Sequence, residues 1–240
     1  MQITNILCVL LAAVEVSSAA PSPLQRRFDW GTVKRTAKVT IQNNSPDRIK
    51  SVSLVHKYSN VYKHRAEWPV IERFKSPDEG NETTVEYNTG PFTTGRDWWL
   101  LSFYSDDMKT QFVTDPNNFR GFVDSLEGIG QLTTVSVAGA TAGMVGALAG
   151  PVTSVAASTA AVVVAKETTD ALFNEETTVG FKQHILRADD EGKMTVIVIN
   201  PDYTVTFYST GSPSRTVTSR RPAAIEVKNE RGDVVDEIKQ

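Results

Sequence analysis

From Gly128 to Ala165 the chain carries no charged side chain. The stretch is mostly Gly, Ala, Ser, Thr and Val, with Pro151 near its middle. The chain as a whole is 22% charged, so such a block must be hidden inside the fold, against a partner or in a membrane. On a helical wheel of Leu132 to Gly150, the residues Gly139, Gly143, Gly146 and Gly150 gather on one side with Ser136 and Ala147. Val137, Met144, Val145 and Leu148 take roughly the opposite side. A glycine face lets another backbone approach closely. Each glycine costs about 1 kcal/mol relative to alanine inside a helix, so close packing or lipid burial has to offset the penalty. Gly150-Pro151 divides the block, because proline lacks the amide proton that a helix interior needs. Two helices are expected, about Leu132 to Ala149 and about Val152 to Phe173.

Two fates fit that hairpin. It can be sheltered in a soluble form and released into a target membrane, or it can stay clamped inside the protein as scaffold. A spanning helix wants about 20 apolar residues, and the block offers fewer on either side of Pro151.

The N-terminus reads as an address. Ile6 to Val14 is an apolar core too short to span a bilayer, and Ser17-Ser18-Ala19-Ala20 supplies small residues for a signal peptidase. Residues 1–20 are expected to be a signal peptide, and residues 21–27 a short pro-segment ending in the dibasic site Arg26-Arg27. A single secreted domain, residues 28–240, follows. The one cysteine, Cys8, lies in the signal, so no disulfide supports the domain. Asn43-Asn44-Ser45 and Asn81-Glu82-Thr83 are sequons for N-glycosylation at Asn43 and Asn81. The formal net charge is −3, and removal of two Arg and one Glu with the leader leaves the domain mildly acidic. That balance argues against nucleic acid as a partner.

On both sides of the block the pattern is β. Lys38 to Ile41 and Ile49 to Val55 alternate polar and apolar residues around a turn at Asn43 to Asp47, as a hairpin would. Thr83 to Tyr87 and Trp98 to Tyr104 read as strands, and Lys109 to Thr114 follows a turn at Asp106-Asp107. Asp115-Pro116 opens an amphipathic helix carrying Phe119, Phe122, Val123 and Leu126. Beyond the block, Phe181 to Arg187 and Met194 to Ile199 read as a hairpin around Asp189 to Gly192. Tyr203 to Ser209 is a further strand, and Ile225 to Ile238 a strand pair turning at Arg231-Gly232-Asp233.

Few constellations carry chemistry. Trp98 and Trp99 follow a glycine-containing loop and make, with Tyr58, a candidate ligand platform. Alternation points the two tryptophans to opposite faces, so at least one belongs to the core. His56, Tyr58, Tyr62 and His64 cluster without a carboxylate at metal-motif spacing. A pocket joining His56 or His64 to an acid such as Asp97 would be needed for acid–base work. Asp106-Asp107 and Asp189-Asp190 sit in turns, where solvated carboxylates are the default. No zinc-protease, nucleophile-elbow or P-loop motif is present, and no cofactor or metal is implied.

Several segments together resemble one family. Ser53-Leu54-Val55-His56-Lys57-Tyr58-Ser59 with Trp68, Thr89-Gly90 through Gly95-Arg96-Asp97-Trp98-Trp99, and Thr114-Asp115-Pro116-Asn117-Asn118-Phe119-Arg120 are similar to the "up-regulated in Daf-2" domain. So are Ala171-Leu172-Phe173-Asn174 and Gly180-Phe181-Lys182-Gln183-His184-Ile185-Leu186-Arg187, after a Gly/Ala-rich block. The resemblance covers about residues 37–209 and leaves the tail from Thr210 outside. It transfers no catalytic residue and no cofactor. The sequence therefore predicts an α+β fold, with β-sandwich-like antiparallel sheets and an inserted Gly/Ala-rich helical hairpin. The expected function is a secreted, non-enzymatic, effector- or toxin-like interaction protein. It would engage membrane lipid through the uncharged hairpin, or an extracellular host partner. The alternative is an extracellular ligand- or glycan-binding module with the hairpin as buried scaffold.

Overall fold

The structure, a computed structural model, describes residues 31–58, 62–91, 93, 96–116, 133–136, 148, 150, 152, 154–173, 178 and 180–238. The N-terminal half contributes β1 (Val33–Asn43), β2 (Ile49–Tyr58), β3 (Tyr62–Ile71), β4 (Thr83–Thr89), β5 (Asp97–Tyr104), β6 (Thr110–Asp115) and β7 (Thr133–Ser136). Helix α1 (Val155–Leu172) comes next. It is followed by β8 (Lys182–Gln183), β9 (Met194–Ile199), β10 (Val205–Tyr208), β11 (Ser214–Pro222), β12 (Ile225–Lys228) and β13 (Val234–Ile238).

One ten-stranded sheet runs in the order β3-β2-β5-β6-β11-β10-β9-β1-β4, with the short β8 paired to β5. Its two terminal strands return side by side. The Glu86 amide donates to His64 Nε2 at 3.1 Å, and the Trp68 indole donates to the Asn81 carbonyl at 3.0 Å. The result is a barrel closed everywhere except at a β3–β4 seam, which side chains bridge. Its interior is filled by the inward residues of alternating strands. Val39, Ile41, Leu54, Trp99, Leu101, Phe103, Ile197 and Phe207 are all buried there. Each large side chain so buried contributes about 1.5–3 kcal/mol. At one end Phe112 stacks between Phe103 and Tyr203, and the Arg220 guanidinium lies over Phe112 and Tyr203.

A second layer covers one wall. Ala157, Ala160, Ala161, Val164, Ala165, Thr168, Thr169 and Leu172 recur at helical spacing and form the buried stripe of α1. Their small side chains bring the helix close to β2, β3 and β5. Thr169 donates to Ser53 at 2.6 Å, and Tyr104 and Thr168 hydroxyls lie 2.6 Å apart. The Ser154 hydroxyl caps the helix by accepting from the Ala157 amide. β2 is thus covered on both faces, and every residue of it is buried. The sheet β13-β12-β7 closes the layer, placing Ile225, Val227 and Ile238 against Ala160, Ala161 and Val164.

Several expectations need correction. The chain is mostly β, and the sheets form a nearly closed barrel with a helix on its outer wall rather than a sandwich around a helical hairpin. A sandwich and a barrel bury the same inward face of each strand, so alternation alone does not separate them. The second expected helix is α1. Where the first was to begin, the β-branched run at Thr133–Ser136 is a strand, paired in parallel with β12. The amphipathic helix expected after Asp115-Pro116 lies outside the described residues, as do residues 1–20 and the dibasic site. β1 and β2 do not form a hairpin: β1 pairs with β4 and β9, and β2 with β3 and β5. Met194–Ile199 pairs with β1 and β10 rather than with the segment ending at Arg187. The tail beyond Thr210 supplies β11, a wall strand joining β6 to β10.

Because α1 depends on small residues at its contact stripe, Ala160→Leu should overpack the interface and cost roughly 1–3 kcal/mol. A lowered urea midpoint with an unchanged slope would report that loss.

Candidate functional site

The β2–β3 register places His56 directly opposite His64, and the β2–β5 register places it opposite Trp99. Asp97, at the start of β5, completes the group. His56 Nε2 lies 3.2 Å from Asp97 Oδ1, while Asp97 Oδ2 accepts from the Leu186 amide at 2.8 Å. The Trp99 ring lies tilted by 35° against the His56 ring, with centroids 4.0 Å apart, and donates its indole N–H to the His184 carbonyl at 2.9 Å. His184 is itself buried, with Ser214 and Ser209 hydroxyls on its two ring nitrogens. Tyr87 donates to the Arg187 carbonyl, and burial pushes its phenol up to about 12.

Burial lowers the His56 pKa against the opposing pull of Asp97, so the imidazole is neutral and donates through Nε2. His56 Nδ1 has no hydrogen-bond partner. The acid and the histidine wanted for acid–base work are therefore together, but His56 is 0% and Asp97 2% exposed. The gap between His56 and His64, lined by Leu54, Arg65, Ala66, Thr83 and Val85, has no volume for a water molecule. The geometry suits a structural hydrogen-bonded pair. Among the described residues no group of His, Cys, Asp and Glu is arranged to hold a metal ion.

The other candidates fall in different places. Trp99 is in the barrel core, and Tyr58 is also buried, donating its phenol to Glu86 Oε2 at 2.9 Å. Trp98 is half-buried on the outer face, packed against the cluster of Val55, Leu100, Val113, Leu172 and Phe181. The three residues do not form one platform. Asn43 is buried and donates its amide hydrogens to the Asp47 and Ile71 carbonyls, whereas Asn81 is exposed. Arg26, Arg27, Gly139, Gly143 and Gly146 lie outside the described residues.

Gly150 is described, and it shows how the uncharged block is held. A bulge at Ser51, whose φ is +46°, turns the buried Lys50 outward from β2. Its ammonium donates to the carbonyls of Leu148 and Gly150, both at 2.7 Å, and to that of Asp106. The Asp106 carboxylate stands 3.0 Å away and also binds Arg48. Burial lowers the Lys50 pKa, and the hydrogen bond to Asp106 opposes that shift.

A cleft lies at the seam. The second half of β3 and the loop leading to β4 enclose about 600 Å³, bordered by Glu67, Trp68, Pro69, Glu72, Lys75 and Asn81 among others. Asp78 and Glu82 add further carboxylates to its wall. Burial raises the Glu67 pKa, with Arg65 and Lys166 pulling the other way. Glu67 Oε1 makes no hydrogen bond, although Arg65 Nε stands 3.5 Å from it. Sequence patterning missed this cleft because β3 mixes Arg65, Glu67 and Pro69 into a strand whose alternation is broken. The available signal was Pro77 and Gly80, which mark a loop rather than a binding function.

Lys50→Met should leave the Leu148, Gly150 and Asp106 carbonyls without their donor and cost about 2–3 kcal/mol in chemical denaturation. Arg48→Met, which removes a partly exposed charge, should cost under about 1 kcal/mol by the same assay.

Among curated proteins, none matches the chain. A family model described as "Up-Regulated in long-lived daf-2" matches residues 33–218. The match runs from the first barrel strand into β11, so it spans the whole circuit that closes the barrel. The chain belongs to the Up-Regulated in long-lived daf-2 family.

Proposed function

We infer that the protein is a secreted, non-enzymatic interaction module that holds an extracellular partner in the β3–β4 seam cleft, with the uncharged block as fixed scaffold. The cleft carries this reading: it is an open volume of about 600 Å³, and it adjoins strand edges that lack a backbone ladder between them. Four carboxylates against one ammonium on its wall, Glu67, Glu72, Asp78 and Glu82 with Lys75, favour a cationic partner. An extended segment bearing Lys or Arg could meet both the strand edge and the carboxylates.

Packing supports scaffold over membrane insertion for the block. To leave the barrel, α1 would have to expose its small-residue stripe and the Leu148–Gly150 stretch would have to abandon the Lys50 ammonium. Among the described residues, no helix is long and apolar enough to cross a membrane.

Amide shifts of the full chain, followed while Lys/Arg-rich, acidic or glycan ligands are added, test the reading. Shifts confined to residues 66–72 and 78–83 with the basic peptides, weakened at least about tenfold by Glu72→Lys with Glu82→Lys, are expected. Flotation with liposomes while the cleft stays silent to every ligand would overturn it in favour of membrane engagement.

A further inference from the structure

The seam is bridged in an unusual way. Elsewhere in the barrel neighbouring strands are joined by backbone ladders, but between β3 and β4 a backbone donor meets an imidazole lone pair. The Glu86 amide gives its hydrogen to His64 Nε2 at 3.1 Å. That lone pair is also the site a proton takes up. An imidazole nitrogen can accept a hydrogen bond or carry a proton, but it cannot do both.

We propose that His64 is an acid-sensitive latch: uptake of a proton at Nε2 ends its bond to the Glu86 amide and opens the β3–β4 seam while the rest of the barrel stays closed.

The surroundings set the direction. From β2, His56 and Tyr58 stack near the His64 ring, with centroids at 6.1 and 6.0 Å. From β4, the Glu86 carboxylate lies 4.0 Å from His64 Nε2, and from β1 Lys34 Nζ lies 2.6 Å from the same carboxylate. Asp97 on β5 reaches the group through His56. Burial is the largest influence on His64 and lowers its pKa, His56 and Lys34 lower it further, and Glu86 opposes them. The closed seam therefore takes a proton less readily than an open one, whose imidazole has its ordinary value of 6.5. Closure is fully favoured above that value and is lost as the pH falls below it.

The Glu86 carboxylate does not rescue the latch. It already pairs with Lys34 and accepts from Tyr58. A protonated ring that turned towards it would still leave the Glu86 amide without its acceptor. His56 adds no relief, because its Nδ1 has no partner for a second proton. The second seam contact, from Trp68 to the Asn81 carbonyl, does not titrate and lies at the far end of β3. Opening should therefore begin at the His64 end.

Hydrogen exchange of the full chain, without ligand and corrected for intrinsic rates, reads the latch directly and separately from the binding reading. Between about pH 7.5 and about pH 5 the Glu86 amide should lose roughly tenfold in protection, while Ile197 on β9 keeps its own. His64→Gln replaces the lone pair with a carbonyl that accepts but does not titrate, so Glu86 protection should become flat across that range. His64→Phe should leave Glu86 weakly protected at both pH values. Flat protection in the unmodified chain, an undiminished pH response in His64→Gln, or equal losses at Glu86 and Ile197 would each overturn the proposal.

Discussion

The parallel ladder between β1 and β9 is the constraint on which the rest depends. Lys38 through Asn43 run beside Met194 through Ile199, joining segments from opposite ends of the chain. Without that pairing, β4-β1 and the β9–β11 group would be separate pieces with exposed edges. With it, the sheet curls far enough to bring β4 back to β3. A parallel neighbour needs a long crossover, and here most of the molecule forms it. The uncharged block and α1 belong to that excursion.

Closure of this kind determines what the molecule offers to a partner. The barrel interior is taken up by large side chains, and several of its polar residues are hydrogen-bonded to one another. His56, Asp97, Trp99 and His184 form a chain of contacts from β2 through β5 to the β8 region. One wall is hidden beneath α1 and the small sheet. Among the described residues, the seam is where the circuit of strands stops short of a full ladder and a cleft of about 600 Å³ opens. The positions of the terminal strands thus select the cleft, without any local cluster of reactive side chains.

How much of this was legible in the sequence depends on the range of the interaction. The β5–β6 and β12–β13 hairpins were readable because each is closed by a short turn, at Asp106-Asp107 and Arg231-Gly232. α1 was readable from the uncharged block and its division at Gly150-Pro151, which placed a helix at about Val152 to Phe173. Gly90 lies in the glycine-containing loop before Trp98, and its φ of +125° and the 2.7 Å at which an added Cβ would meet the Gly31 carbonyl oxygen show why glycine is needed there. The β1–β9 ladder was not readable, because alternation tells which face of a strand is apolar and says nothing about its distant neighbour. β11 was missed for a related reason. Its Ser, Thr and Arg residues look solvated, yet the Arg220 guanidinium covers aromatic rings at the barrel end. The sequence grouped His56 and His64 but, at a separation of eight positions, did not show that an antiparallel register sets them face to face.

Lys50 has a further consequence. Its ammonium gathers three carbonyl oxygens and a carboxylate, a donor set of the sort that elsewhere surrounds a hard cation. Here the positive centre is tethered to the chain by four methylene groups and cannot be exchanged with the medium. The chain's one cysteine is Cys8, so no second thiol is present to form a disulfide within the chain. The stretch at Leu148–Gly150 is consequently fastened to β2 by a staple that neither a reductant nor a chelator can remove.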